Sequence, residues 1–157
     1  MRGVLLTHVH TDHIYGLNKL LEVFSDAAIY TNAEGEKGLQ NPRWNFSHYH
    51  EDVEDIIIYK PENVRVIESG GRISTVPSQF LSEVEVLFTS GHEPSCLTYR
   101  IGDCRYTGDA YIPGVKVVMT FPRSNKQQAA ESLARLQALE KAGCKIRPGH
   151  WIENNEV

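Results

Sequence analysis

Three histidines and an aspartate crowd into Thr7-His-Val-His-Thr-Asp-His13, namely His8, His10, Asp12 and His13. Imidazole nitrogens and carboxylate oxygens are the ligands that zinc and other first-row divalent ions take. The spacing matters as much as the residue types. With Gly3 to Thr7 as a strand, His8 and His10 point the same way, and Asp12 and His13 follow on a tight loop. One short segment then presents two pairs of ligands to two neighbouring points. That is the layout of a two-metal site, in which paired ions clamp an oxygen between them.

The same ligand types recur at three other strand ends. Ser90-Gly-His-Glu-Pro94 sets His92 on a loop after the apolar run Val84 to Phe88. Thr107-Gly-Asp-Ala110 sets Asp109 after the strand-like Cys104 to Thr107, and Pro148-Gly-His150 sets His150 after Cys144 to Arg147. Each time a strand candidate ends, a glycine turns the chain, and a ligand follows at once. Loops held by a rigid scaffold are where such residues collect. A single histidine-rich loop is often mere surface, but four matched places in one chain are read as a metal site.

These four motifs, in this order, resemble the signature of the metallo-β-lactamase fold superfamily. That signature reads Thr-His-x-His-x-Asp-His, then Gly-His, Gly-Asp and Gly-His. Here it is carried by Thr7 to His13, Gly91-His92, Gly108-Asp109 and Gly149-His150, with Gly16-Leu17 and Ile112-Pro-Gly114 extending the match. The resemblance implies an αββα sandwich, two sheets face to face with helices outside. It implies two divalent metal ions, zinc first with iron or manganese as alternatives. One would sit on His8, His10 and His92, the other on Asp12, His13 and His150, with Asp109 bridging. It also implies hydrolysis of a thioester, ester or lactone, with Asp12 as ligand and orienting catalytic residue. The flavour is closer to glyoxalase II-like proteins than to true β-lactamases, because Asp109 stands where several lactamases carry cysteine.

The elements that must position these residues are legible as interleaved strands and helices. Ile14, Leu17, Leu20, Leu21 and Phe24 recur at helical spacing, which predicts a helix over 14–25. Ala28 to Tyr30 reads as a strand, and Asn32 caps a helix through Leu39 that Gly35 and Gly38 weaken. Residues 40–62 are the least regular stretch. Val64 to Ile67, Arg72 to Val76, Val84 to Phe88, Cys96 to Ile101 and Cys104 to Thr107 read as successive strands, with Gly70-Gly71 and Gly102-Asp103 as turns. Lys126 to Ala142 is a second helix, with Ala129, Leu133, Leu136 and Leu139 on one face and Ser124 or Asn125 as its cap.

Composition sets the context. A chain of 157 residues with 41% hydrophobic content suits one domain, taken here as 1–157. There is no membrane-spanning apolar run and no secretory start. The cysteines, Cys96, Cys104 and Cys144, are odd in number and unpaired in spacing, which favours a cytoplasmic setting. A net charge of −4 with scattered basic residues offers no footprint for nucleic acid, leaving a small-molecule substrate as the expected partner.

Two departures from the family pattern stand out. Only seven residues precede His8, where family members place a set of N-terminal strands. The expectation is a domain incomplete at its front, whose open sheet edge a second copy covers in a homo-oligomer. The second motif reads Thr89-Ser-Gly-His-Glu-Pro-Ser-Cys96, where the family usually has Thr-Pro-Gly-His-Thr-Pro-Gly-Ser. Ser95 replaces a glycine, so a positive φ there would cost about 1 kcal/mol. Cys96 beside it is read as a small buried strand residue.

Other candidates are read blandly. His48 and His50 are surface or cleft-rim histidines, Asp103 is a hairpin residue, and Glu51 to Asp55 is a solvated acidic run. Trp44, Asn45 and Tyr111 either line the cleft or pack and tether loops. Three functions remain open: a dinuclear zinc hydrolase, a mononuclear iron enzyme like the persulfide dioxygenases using His8, His92 and Asp109, or a metal-binding protein without activity.

Overall fold

In the computed structural model, residues 1, 3–73 and 84–150 are described, with 72 and 73 as backbone only. The elements run β1 (Gly3–Leu5), α1 (Thr11–Ile14), α2 (Leu17–Val23), β2 (Ala28–Thr31), α3 (Ala33–Leu39), β3 (Val64–Val66), β4 (Gly71–Ile73), β5 (Val84–Phe88), β6 (Leu97–Ile101), β7 (Cys104–Gly108), α4 (Lys126–Lys141) and β8 (Lys145–Pro148). Strands β1-β2-β3 form a parallel sheet. Strands β4-β5-β6-β7-β8 form a second sheet, antiparallel except for the β7–β8 pair.

The alternation of side chains across β2 explains the layering. Ile29 is buried against Ile14, Leu17, Leu21 and Leu39, so α1, α2 and α3 cover one face of the first sheet. Its neighbour Tyr30 turns the other way, onto Val84, Val86, Leu97 and Tyr99 of the second sheet. Leu136 of α4 packs with Cys96, Ala110 and Tyr111 on the far side of that sheet. The αββα sandwich is therefore present. The Tyr99 hydroxyl, which burial keeps protonated, donates to the Leu6 carbonyl at 2.9 Å and so crosses the layers.

Helices as short as these do not stand alone in water. They persist because Leu21 and Leu39 are fully buried, each contributing about 1.5–3 kcal/mol. The helix expected over 14–25 is instead two pieces, α1 and α2, parted at Tyr15-Gly16. Asp12 and His13 consequently ride on a helical turn rather than a loop. Asn32 does cap α3, its side chain accepting from the Gly35 amide at 2.8 Å. Gly35 and Gly38 serve that helix rather than weaken it. A Cβ on Gly38 would lie 2.6 Å from Val9, and one on Gly35 would collide with Thr31. Of the strand expected over 72–76, residues 71–73 pair with β5, and 74–76 lie outside the described residues. The Gly102-Asp103 turn joins β6 to β7 as read, with Lys145 on Asp103 at 2.7 Å.

The irregular stretch after α3 is organised by one side chain. Asn45 is fully buried. Its amide donates to the Gly38 and Ile56 carbonyls at 3.0 and 2.9 Å, and its side-chain oxygen accepts from the Ser47 amide and hydroxyl at 3.0 and 2.7 Å. Its own carbonyl accepts from Thr11 Oγ1 at 2.7 Å, reaching back to α1. Asn45 thus tethers loops and does not line a cleft. Asn45→Ala strands several buried partners at about 1–3 kcal/mol each. The expected loss is about 3 kcal/mol in urea unfolding; a loss below about 1 kcal/mol would contradict this account.

Candidate metal centre

The four motif loops leave the same edge of the sandwich, because each follows the C-terminal end of its strand. β1 leads to His8, β5 to His92, β7 to Asp109 and β8 to His150. The parallel register sets Gly108 opposite Pro148, and the Gly149 amide donates to the Gly108 carbonyl at 3.0 Å. Asp109 and His150 are thereby brought side by side. The N-terminus of α4 pins the remaining loop. Asn125 N–H donates to Gly91 O at 2.8 Å, Ser124 Oγ to His92 O at 2.7 Å, and Ser132 Oγ to Ser90 O at 2.8 Å.

All seven expected ligands converge. They fall into three overlapping groups, His8 with His10 and His92, His8 with His13 and Asp109, and Asp12 with His13 and His150. Within each group the ligand atoms lie inside 4.8 Å of one another. Asp109 faces both ends of the cluster, with Oδ2 3.5 Å from His150 Nε2 and 3.9 Å from His92 Nε2, and Oδ1 3.4 Å from His13 Nε2. Asp12 Oδ2 is 3.1 Å from His150 Nε2 and 3.5 Å from His13 Nε2. The two ends differ in character. His8, His10 and His92 are buried, whereas the side chains of Asp12 and His150 are 56% and 50% exposed.

Among the described residues four buried side-chain atoms have no hydrogen-bond partner; one is Thr31 Oγ1, and the other three, His8 Nε2, His10 Nε2 and Asp109 Oδ1, belong to this cluster. The 3.4 Å approach of His13 to Asp109 Oδ1 lacks hydrogen-bond geometry. Leaving such atoms bare costs about 1–3 kcal/mol each, and each of the three side chains belongs to a group that could hold a divalent cation, His10 with His8 and His92, Asp109 with His8 and His13. His92 is already set for that task. Its Nδ1 lies 2.8 Å from the Val118 carbonyl and so carries the proton, which leaves the Nε2 lone pair facing the centre. The residues present therefore fit a divalent metal centre.

Protonation states agree. Burial, then neighbouring His13, hold His8 well below the usual imidazole value, and burial and His92 bring His10 down to about 3. Both rings stay neutral and available. Burial also pulls on His13, but Asp109 and Asp12 outweigh it and raise its value, while His13 in turn lowers Asp109. A histidine whose value is depressed on folding takes up protons more readily unfolded. Protein kept metal-free with a chelator should lose on the order of a few kcal/mol as pH falls from about 6.5 toward 3. His13 acts on the other side of that window, losing its contribution as pH rises above about 6.5 through its raised value. Urea midpoints across that window test this, and a flat profile would refute it.

Two phenylalanines that carried no recognisable motif complete the buried end. Phe121 lies 4.6 Å from the His10 ring and 5.3 Å from His92, and Phe46 lies 5.0 Å from His10 and 4.9 Å from Phe121. Phe46 has a φ of 67°, the one positive value on a non-glycine among the described residues. Tyr111 is buried with its hydroxyl on Glu140 and lines a cavity with Val115 and Leu133, whereas Trp44 packs under the Arg123 guanidinium at 4.1 Å. Exposed His48 bonds Asp55 at 3.2 Å and joins no ligand group among the described residues; His50 is exposed too. Cys96 is buried, its thiol kept protonated by burial. Ser95 keeps a negative φ, so the strain considered for it is absent.

Two facing sheets with a histidine–carboxylate cluster at their strand ends define a metal-centre α/β sandwich. The chain belongs to the metallo-beta-lactamase superfamily, whose profile matches residues 2–150. It is 47% identical over 158 aligned residues to a hydroxyacylglutathione hydrolase of Francisella philomiragia, covering 98% of this chain and 52% of that protein. Among solved structures, the B3 metallo-beta-lactamase BLEG-1 superposes with a TM-score of 0.79 at 18% identity, over 96% of this chain and 70% of that one. TTHA1623 in a di-iron-bound form superposes at 0.74 with 22% identity, over the same shares. The chain spans about half the length of the first curated relatives it matches, 44% to 52%. No described helix is long and apolar enough to cross a membrane.

Proposed function

We propose that this chain is the metal-binding part of a hydrolase that cleaves a thioester, ester or lactone. The observation that carries the reading is the convergence of seven ligand-type side chains, three of which hold a buried atom with no hydrogen-bond partner. In this reading His8, His10 and His92 hold one divalent ion, Asp12, His13 and His150 a second, and Asp109 is shared. When bound, such a pair lowers the pKa of a water toward neutrality and polarises a carbonyl.

The chain's own residues do the rest. Val118 fixes the tautomer of His92 through its carbonyl. Phe46 and Phe121 keep water from the His10–His92 side and face the apolar part of a substrate. Asp12, largely exposed, can orient the attacking water and take its proton on Oδ2. Zinc is the simplest metal, with iron and manganese as alternatives. Among the described residues β1 is an edge strand, which suits pairing with a second copy, and three free thiols suit a reducing cytoplasm.

Elemental analysis of protein purified without added metal, run beside thioester and lactone assays and a solution mass, tests this. Close to two ions per chain with metal-dependent hydrolysis is the expected result. One iron per chain with oxygen consumption would move the assignment to persulfide chemistry. No bound metal would refute it.

A further inference from the structure

One buried carboxylate beside the cluster has no part in holding metal. Glu93, next to His92, has no exposed surface. A carboxylate is buried at high cost unless paired and hydrogen-bonded. Its partners are the Ser95 amide at 2.6 Å, the Ser95 hydroxyl, and Arg123 Nη1 at 3.3 Å. Arg123 also pairs with Glu34 and lies over Trp44.

The Ser95 hydroxyl, donating to Glu93, accepts from the Val9 amide at 3.2 Å. Val9 is the residue between His8 and His10. The run Arg123–Glu93–Ser95–Val9 therefore connects the loop of His92 to the segment carrying the other two ligands of the buried group. A backbone bond from the Leu97 amide to the Thr7 carbonyl, 2.7 Å, already ties these segments on the near side of His8. Ser95 ties them again beyond it. Glu93 and Ser95, two of the four positions at which this loop departs from the family pattern, bond each other.

We propose that Glu93 is a positioning residue, which acts through Ser95 and the Val9 amide to hold His8 and His10 in register with His92. The inference rests on the metal-site reading above. It concerns how tightly the site binds metal, not which bond is cleaved.

The test is zinc affinity by chelator competition for wild type, Glu93→Gln, Ser95→Ala and the double variant, with Tm recorded for each in zinc-free form. Each single change is expected to weaken zinc binding about 10-fold, the scale of lost outer-shell partners. The double change should cost no more than one alone, since both cut one connection. Ser95→Ala leaves no new unpaired charge and decides the matter if Glu93→Gln does not fold. Variants that bind zinc within about twofold of wild type, with only the zinc-free Tm lowered, would overturn the proposal and leave the metal-site reading intact. A wild type that takes up no zinc would overturn that reading and this proposal together.

Discussion

Asp109→Ala is expected to give a folded protein that holds metal poorly at both ends of the cluster and has lost nearly all hydrolytic activity. Asp109 is the carboxylate that faces both, through Oδ2 toward His92 and His150 and Oδ1 toward His13. Losing a partner one shell further out costs about 10–100-fold in affinity or activity. In the proposed reading Asp109 is shared by two ions, so its loss should cost more than the upper figure, because neither ion would keep its full set. The fold itself has little to lose. Asp109 is partly buried with one oxygen orphaned, so its removal trades a desolvation cost against the attraction of His13. The metal-free Tm should stay close to that of wild type while metal content falls. Metal content unchanged in Asp109→Ala would remove the bridging role and with it the dinuclear reading.

The ligands were the part most open to sequence reading, for a physical reason. A metal site calls for particular donor types, and the candidates here are either packed into Thr7 to His13 or, for His92, Asp109 and His150, follow a strand and a glycine, so short-range patterns carry the signal. Strand order was compatible with the sandwich for the same reason, since β6 and β7 are joined by the short Gly102-Asp103 turn and β5 reaches β6 through the Gly/Pro-punctuated loop of His92. What the sequence did not reveal depends on contacts between distant segments. Phe46 and Phe121 meet over His10 from loops 75 residues apart, and neither sits in a periodic pattern. Asn45 looked as much like a cleft residue as a tether, and only its four side-chain bonds to Gly38, Ile56 and Ser47 decide between them. The helix expected over 14–25 failed in a different way. Its apolar spacing was right, but the turn carrying Asp12 and His13 starts the helix early and the chain breaks at Gly16. Glu93 was visible as a departure from the pattern, yet nothing local indicated that Arg123, 30 residues on, would be beside it.

Gly91→Ala is expected to be the most destabilising single methyl addition in the site. Gly91 has a φ of +141°, which L side chains rarely adopt, and its Cβ would run into the backbone of Ala129 in α4. The conformational cost is of order 1–3 kcal/mol, and forcing atoms into a packed contact adds about 1–3 kcal/mol. Against a total stability of roughly 5–15 kcal/mol, that is a large share, and a Tm lower by about 10 °C follows for a chain of this size. The collision cannot be relieved cheaply, because Asn125 and Ser132 bond α4 to this same loop, at Gly91 O and Ser90 O. Moving the helix away loosens His92 through Ser124, so zinc affinity should fall with stability. Gly102→Ala separates the two contributions. Gly102 also has a positive φ, +62°, but a Cβ there would meet nothing within 4 Å. It should lose about 1 kcal/mol and keep its affinity for zinc. Equal losses of Tm in the two variants would mean that the backbone conformation alone carries the cost, and that α4 does not hold the His92 loop in the way the contact with Ala129 implies.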